Sequence, residues 1–240
     1  MKKVLILGGS HRDIPLIKAS QELGYFVITL GDRDYYMGHE YSDKYYKVNF
    51  NNLAKVKEII ENEKIDYLLP GSGEESYLNT VQLAQELNMG NFDSLEVAKL
   101  VHNKWKFKEF CLENSISTPG GFYYTDGLDL DNINFPITIK PTNLSGGRGV
   151  DVAYDLTSLK ESLKKSREVS DEIFLEDFID GDLIAYSVVI KNQKIIYGFT
   201  GRDDTYKNKY LITSAYPVQL KTVTQNKLQG DVEKISELLS

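Results

Sequence analysis

Cysteine is almost absent from this sequence. Cys111 is the single one among 240 residues, which excludes an internal disulfide and fits a reducing compartment. It stands four residues after Phe107 in a helical pattern, the place of a small buried hydrophobe rather than a nucleophile. Long apolar runs are lacking too. Nothing approaches the length that spans a bilayer, and the run Val4 to Leu7 is too short for the apolar core of a signal peptide, so it reads as a strand. The expected location is therefore cytoplasmic. Basic residues are not in excess: 28 Lys and Arg against 35 Asp and Glu leave a net charge of −7, which argues against a nucleic-acid binder. No internal repeat, low-complexity segment or flexible linker stands out. What is present is ordinary for a soluble globular chain, 41% hydrophobic and 26% charged, and long enough for one large domain or two modest ones.

The first ninety residues read as repeated α/β winding. A strand over 3–7 runs into Gly8-Gly9-Ser10-His11, a helix fits 14–23 with Gly24 as its stop, and a second strand covers 25–30. That is a parallel βαβ unit. A short strand near 46–48, a helix over 52–62, a buried strand over 65–70 and a helix over 76–87 follow. Small residues succeed the strands, at Gly8-Gly9-Ser10 and again at Gly71-Ser72-Gly73. In an open α/β sheet the carboxyl ends of the strands form the ligand crevice, so Gly9, Ser10, His11, Ser72, Gly73 and Glu74 fall on one rim. His11 and Glu74 either face a substrate there or serve as a solvated turn residue and a helix-initiating acid. The turn lacks a full G-x-G-x-x-G pattern, so a dinucleotide reading ranks well behind.

The texture changes near residue 93, where a domain boundary is expected. Ser94 is placed to cap a short helix through 101, and Asn103 a second one to about 113. A Pro-Gly-Gly break precedes an aromatic strand at 122–124. The stretch ITIKPTNLSGGRGV, residues 137–150, puts a β-branched strand ending in Lys140 before a loop of three glycines and Arg148. Glycines let backbone N–H groups approach an anion, and the two cations would oppose its charge. Such a stretch is either a flap over a polyphosphate or a hairpin with a basic tip. Beyond it, the pattern predicts a helix over 156–169, a strand over 172–179, a hairpin over 183–190 and 194–201, a polar loop and strand over 202–220, and a final helix over 224–239.

Taken in order, Asn103-Lys104 at a helix start, residues 136–140 with Gly146 to Val150, and Glu176-Asp-Phe-Ile-Asp-Gly181 resemble the ATP-grasp superfamily, of the carboxylate–amine or carboxylate–thiol ligase, carbamoyl-phosphate-synthase-like type. The resemblance implies an α/β chain with a Rossmann-like pre-ATP-grasp domain over 1–92 and an incomplete α+β ATP-grasp region over 93–240. Within the latter it implies a helical linker to about 117, a nucleotide-binding lobe over about 118–200 and the start of a C-terminal lobe. It implies ATP as co-substrate, small-molecule carboxylate and amine substrates, and an acylphosphate intermediate. Lys104 and Lys140 would clamp phosphates under Ser145, Gly146, Gly147, Arg148 and Gly149. Glu176, Asp177, Phe178 and Ile179 would receive the adenine, and Lys106 and Lys108 would be solvated helix lysines.

Two departures qualify the resemblance. Where many members carry a ribose-binding glutamate this sequence has Leu183, so ribose contact passes to Asp182. A further phosphate-facing cation is Lys209, with Arg202 as its rival. The magnesium ligands of the family lie on strands after a helix like the last one here, so no metal ligand is assigned and they are expected beyond residue 240. The expectation is an N-terminal portion of a longer ligase, inactive alone. The alternative is a non-catalytic ATP- or ADP-binding module, or a subunit completed by a partner. An apolar face left open by the final helix would favour self-association, with a homodimer as the expected form.

Overall fold

The computed structural model describes residues 1–144, 146–206 and 210–240. The chain forms two compact units, Met1–His102 and Asn103–Ser240.

In the first unit, β1 (Lys3–Leu7), α1 (Ile14–Glu22), β2 (Phe26–Gly31), β3 (Lys44–Lys47), α2 (Leu53–Glu63), β4 (Tyr67–Pro70) and α3 (Glu74–Leu87) follow one another. The four strands make a parallel sheet in the order β3-β2-β1-β4. Because side chains alternate across a strand, Leu5, Leu7, Ile28 and Leu30 pack on Val56, Ile59, Leu83 and Ala84, while Val4, Ile6 and Val27 meet Ile17 on the other face. A sheet covered on both faces needs strands that are apolar throughout, as β1 is. One further helix, α4 (Leu95–His102), belongs to this unit. The division thus falls at 102/103 rather than near 93, because α4 packs on α3.

The second unit opens with α5 (Lys104–Glu113) and β5 (Gly121–Tyr123), followed by β6 (Ile137–Pro141), β7 (Asp151–Ala153), α6 (Leu156–Arg167) and β8 (Ile173–Asp177). These strands form an antiparallel sheet ordered β5-β8-β6-β7. One face carries Ile137, Ile139, Ala153, Ile173 and Leu175 onto Leu159 and Leu163 of α6. Fully burying each of those leucines contributes about 1.5–3 kcal/mol. The opposite face therefore receives Thr138, Lys140, Phe174 and Glu176, and this parity positions the site. A second sheet holds β9 (Ile184–Lys191), β10 (Lys194–Thr205) and β11 (Ile212–Pro217) in the order β11-β10-β9, before α7 (Thr222–Leu238). Asn192 and Gln193 link β9 to β10 with φ of 51° and 63°, as a two-residue hairpin turn requires. The expected limit at 200/201 falls inside β10, a single strand bonded to both neighbours, so it does not divide two structural pieces.

Candidate functional site

In the second unit a cleft of about 480 Å3 lies against the free face of the β5-β8-β6-β7 sheet. Its lining includes Lys104, Thr138, Lys140, Gly147, Glu176, Asp177, Phe178, Ile179 and Leu183. That volume is within the range of small-molecule sites.

Each cation reaches the cleft for a local reason. Asn103 caps α5 by accepting a hydrogen bond from the Lys106 amide at 3.0 Å, which fixes Lys104 as the first residue of the helix. The Lys104 amide donates to Thr142 O at 3.1 Å and its Nζ donates to Leu144 O, joining the helix start to the segment after β6. Lys140 stands on the cleft face of β6 and pairs with Glu176 Oε1. The register sets Thr138 opposite Glu176 and Lys140 opposite Phe174, so the pair is a diagonal cross-strand contact within reach of two long side chains.

Glycine makes the loop after β6 possible. Gly146, Gly147 and Gly149 have φ of 69°, 71° and 71°, where a side chain is strained. Gly147 lines the cleft, and a Cβ there would run into the backbone carbonyl of Tyr210. Gly149 O accepts from Ser166 Oγ at 2.6 Å, which ties the far end of the loop to α6. Arg148 is exposed and is not among the cleft residues. Ser145 and Lys209 lie outside the described residues.

At the end of β8, Phe174 and Leu175 are core, whereas Phe178 is half-buried and Ile179 is exposed at the cleft. An exposed isoleucine there fits a site wall better than a core position. Glu176 is buried, with one oxygen on Lys140 and the other 3.0 Å from Lys108 Nζ. Both oxygens are thus engaged by lysines, which favours an ordering role over direct acceptance from a base amine.

Three expectations need correction. Lys108 is not a solvated helix lysine but is only 4% exposed, because it falls on the inward stripe of α5 with Cys111. Asp182 turns away to an ion pair with Arg202 at 2.9 Å, and Leu183 lines the cleft in its place. Arg202 is engaged by Asp182 and by Asp204 at 3.4 Å, since its place on β10 sets it beside both carboxylates, and it is not a cleft residue. Residues that the sequence did not single out include Thr205, Tyr210 and Ile212, which line the cleft from the other sheet and its loop. The Tyr210 hydroxyl donates to Asp151 at 3.2 Å, and burial followed by that carboxylate raises its pKa.

The rim of the first unit is built around Asp13, which is buried. Its carboxylate accepts from the amides of Ser10 and Ser72, both at 2.7 Å, and so joins the loops after β1 and β4. Gly8, Gly9, Ser10, Ser72 and Gly73 line a small cleft of about 130 Å3. His11 is exposed and outside that lining, and Glu74 stands 3.8 Å from His102 instead. Those two placements follow the solvated-turn and helix-start readings. His39, buried beneath Gly9, bonds Thr29 Oγ1 at 2.8 Å through Nδ1, and burial lowers its pKa. Cys111 is buried, and desolvation pushes its thiol up, away from nucleophilic use.

Among the described residues no group of three or more His, Cys, Asp or Glu side chains is arranged to hold a metal ion, and no helix is long and apolar enough to cross a membrane.

Residues 127–221 match the family described as carbamoyl-phosphate synthase L chain, ATP binding domain. A formate-dependent phosphoribosylglycinamide formyltransferase of Wolinella succinogenes is 25% identical over 235 residues, 95% of this chain and 60% of that protein. A D-alanine–D-alanine ligase of Wigglesworthia glossinidia brevipalpis is 33% identical over 121 residues, 45% of this chain and 32% of that one. Among solved structures, an L-amino acid ligase from Bacillus licheniformis superposes with a TM-score of 0.80 at 19% identity, covering 100% of this chain and 60% of that chain. N5-carboxyaminoimidazole synthetase from Staphylococcus aureus complexed with ADP gives 0.80 at 14% identity, covering 98% and 63%. The chain spans about 60% of the length of the relatives that it matches nearly end to end.

Proposed function

Because the chain belongs to the ATP-grasp superfamily, we propose that it is the nucleotide-binding part of an ATP-dependent carboxylate–amine or carboxylate–thiol ligase. The observation that carries this reading is one cleft in which Lys104, Lys140, Gly147 and the 176–179 segment stand together. Lys104 and Lys140 are suited to phosphate oxygens, Gly147 permits close approach of the loop, and Phe178 and Ile179 offer an apolar wall to a base. Ligation by this class of chemistry activates the carboxylate as an acylphosphate, which the amine or thiol then attacks. Shielding of charge and exclusion of water matter more there than a protein nucleophile. The small-residue rim around Gly9 and Ser10 is the proposed seat of the carboxylate or amine substrate.

No residue is assigned to a metal, and no step is routed through one. A second reading is a nucleotide-binding module that never ligates. Calorimetric titration with ADP, ATP and NAD tests the nucleotide site: ADP and ATP should bind and NAD should not, and the reverse pattern sinks the proposal. An amino-acid screen for ADP release, with and without a chain carrying a carboxylate metal site, separates ligase from module. Cytoplasmic residence and a homodimer complete the proposal.

A further inference from the structure

Lys108 is the most thoroughly buried lysine described, and its surroundings are built for it. Its Nζ donates to Thr118 Oγ1 at 3.2 Å and to Pro119 O, and forms an ion pair with Glu176 Oε2 at 3.0 Å. Gly121 makes the approach possible: a Cβ there would stand 2.9 Å from Lys108 Cε and 3.0 Å from Glu176 Cβ. Lys108 is not among the cleft residues, whereas Glu176 and Lys140 are.

We infer that Lys108 is a positioning residue that neutralises Glu176 from behind, so that Lys140 presents an uncancelled positive charge to the cleft. This inference rests on the proposed nucleotide reading. The charge count gives the reason. Lys140 and Glu176 alone sum to zero, and a neutral pair has little attraction for a polyphosphate. Adding Lys108 leaves the trio at plus one, and with Lys108 buried and outside the cleft lining, the surplus faces the cleft through Lys140. Glu176 in turn holds the Lys140 ammonium at one place on the cleft face. Low local dielectric keeps this coupling strong. Were Lys108 only a peg joining α5 to β8, its removal would cost stability and leave the chemistry of Lys140 unchanged.

Two measurements on the 240-residue chain decide between these roles. In the first, without nucleotide, pulse acetylation with a small anhydride and mass spectrometry reads the reactivity of the Lys140 amine. Replacing Lys108 leaves Glu176 wholly to Lys140, so Lys108→Met should slow acetylation of Lys140 about threefold or more. The double variant Lys108→Met/Glu176→Gln should restore it. Unchanged Lys140 reactivity in a folded Lys108→Met chain overturns the inference. Should the buried unpaired carboxylate prevent that variant from folding, the comparison moves to Glu176→Gln against the double variant. Lys140 should then be the more reactive in Glu176→Gln, and equal rates overturn the inference. In the second measurement, calorimetry compares ADP with adenosine: Lys108→Met should weaken ADP about tenfold and leave adenosine unchanged. Equal loss for both ligands makes Lys108 a structural contact. If the wild-type chain binds neither ligand while the labelling changes as described, the charge balance stands and the nucleotide reading falls.

Discussion

At the scale of single residues, the cleft depends on a few side chains whose strand parity was already in the sequence. Ile137 and Ile139 are apolar and Thr138 and Lys140 are not, so a strand there had to send Lys140 away from the core. Lys140→Ala should weaken ADP binding by about 1.5–3 kcal/mol, the worth of a hydrogen bond to a charged group, or roughly ten- to a hundredfold in Kd. Calorimetry checks it, and unaltered affinity would remove Lys140 from the phosphate site. Lys108 was harder to read, although it lies four residues after Lys104 and three before Cys111. A lysine in a helix's apolar stripe is a signal, but its partner, Glu176, is 68 positions away and only the sheet brings it near. In the first unit, hydrogen bonds from Lys3, Lys44 and Tyr46 hold Glu63 at about 2, against 4.5 ordinarily. A depressed carboxyl pKa stabilises the fold above the unfolded value, and that stabilisation is lost as pH falls from about 4.5 toward 2. The Tm gap between wild type and Glu63→Gln should therefore be wide at pH 6 and narrow at pH 3. A gap that stays constant in thermal melts across that range would refute the assignment.

At the scale of elements, caps and turns carried much of the information. Asn103 begins α5 and Gly24 ends the first helix, with φ of 82°, as the sequence suggested. Asn103→Ala should cost about 1 kcal/mol of stability, seen as a Tm lower by a few degrees. It should also weaken ADP modestly, because the cap sets the backbone from which Lys104 reaches Leu144 O. An unmoved Tm would mean that the cap is not needed. The strand over 172–179 proved shorter, ending at Asp177 as β8. Apolar residues at 178 and 179 continue the strand pattern in sequence, yet they belong to the cleft wall, where apolar surface is left outside the core. The limit placed at 200/201 failed for a similar reason: nothing in the sequence marks β10 as twelve residues long and paired on both sides.

For the whole molecule, the two units each have their own sheet and core, divided at 102/103 where the family resemblance implied 92/93. The second unit leaves apolar surface open. Val189, Ile196, Tyr197 and Phe199 of the β9–β10 hairpin and Val223 of α7 are exposed, and no residue of α7 is buried. Exposed apolar side chains of this kind favour association. Sedimentation velocity should show self-association rising with concentration, and replacement of Ile196 and Tyr197 by lysine should reduce it. A sedimentation coefficient that does not change with concentration would count against the idea.

The sequence by itself determined the α/β class, nearly every helix and strand, and the glycine loop. Those follow from local periodicity, capping and turn residues, which are properties of neighbouring residues, whereas the roles of Lys104, Lys140 and Glu176 were implied by the family resemblance. Tertiary structure decided the rest. It turned Asp182 onto Arg202, brought Thr205, Tyr210 and Ile212 to the cleft, and set Lys108 behind Glu176. Which distant side chains meet depends on sheet register and on where one helix docks, and no local pattern encodes either.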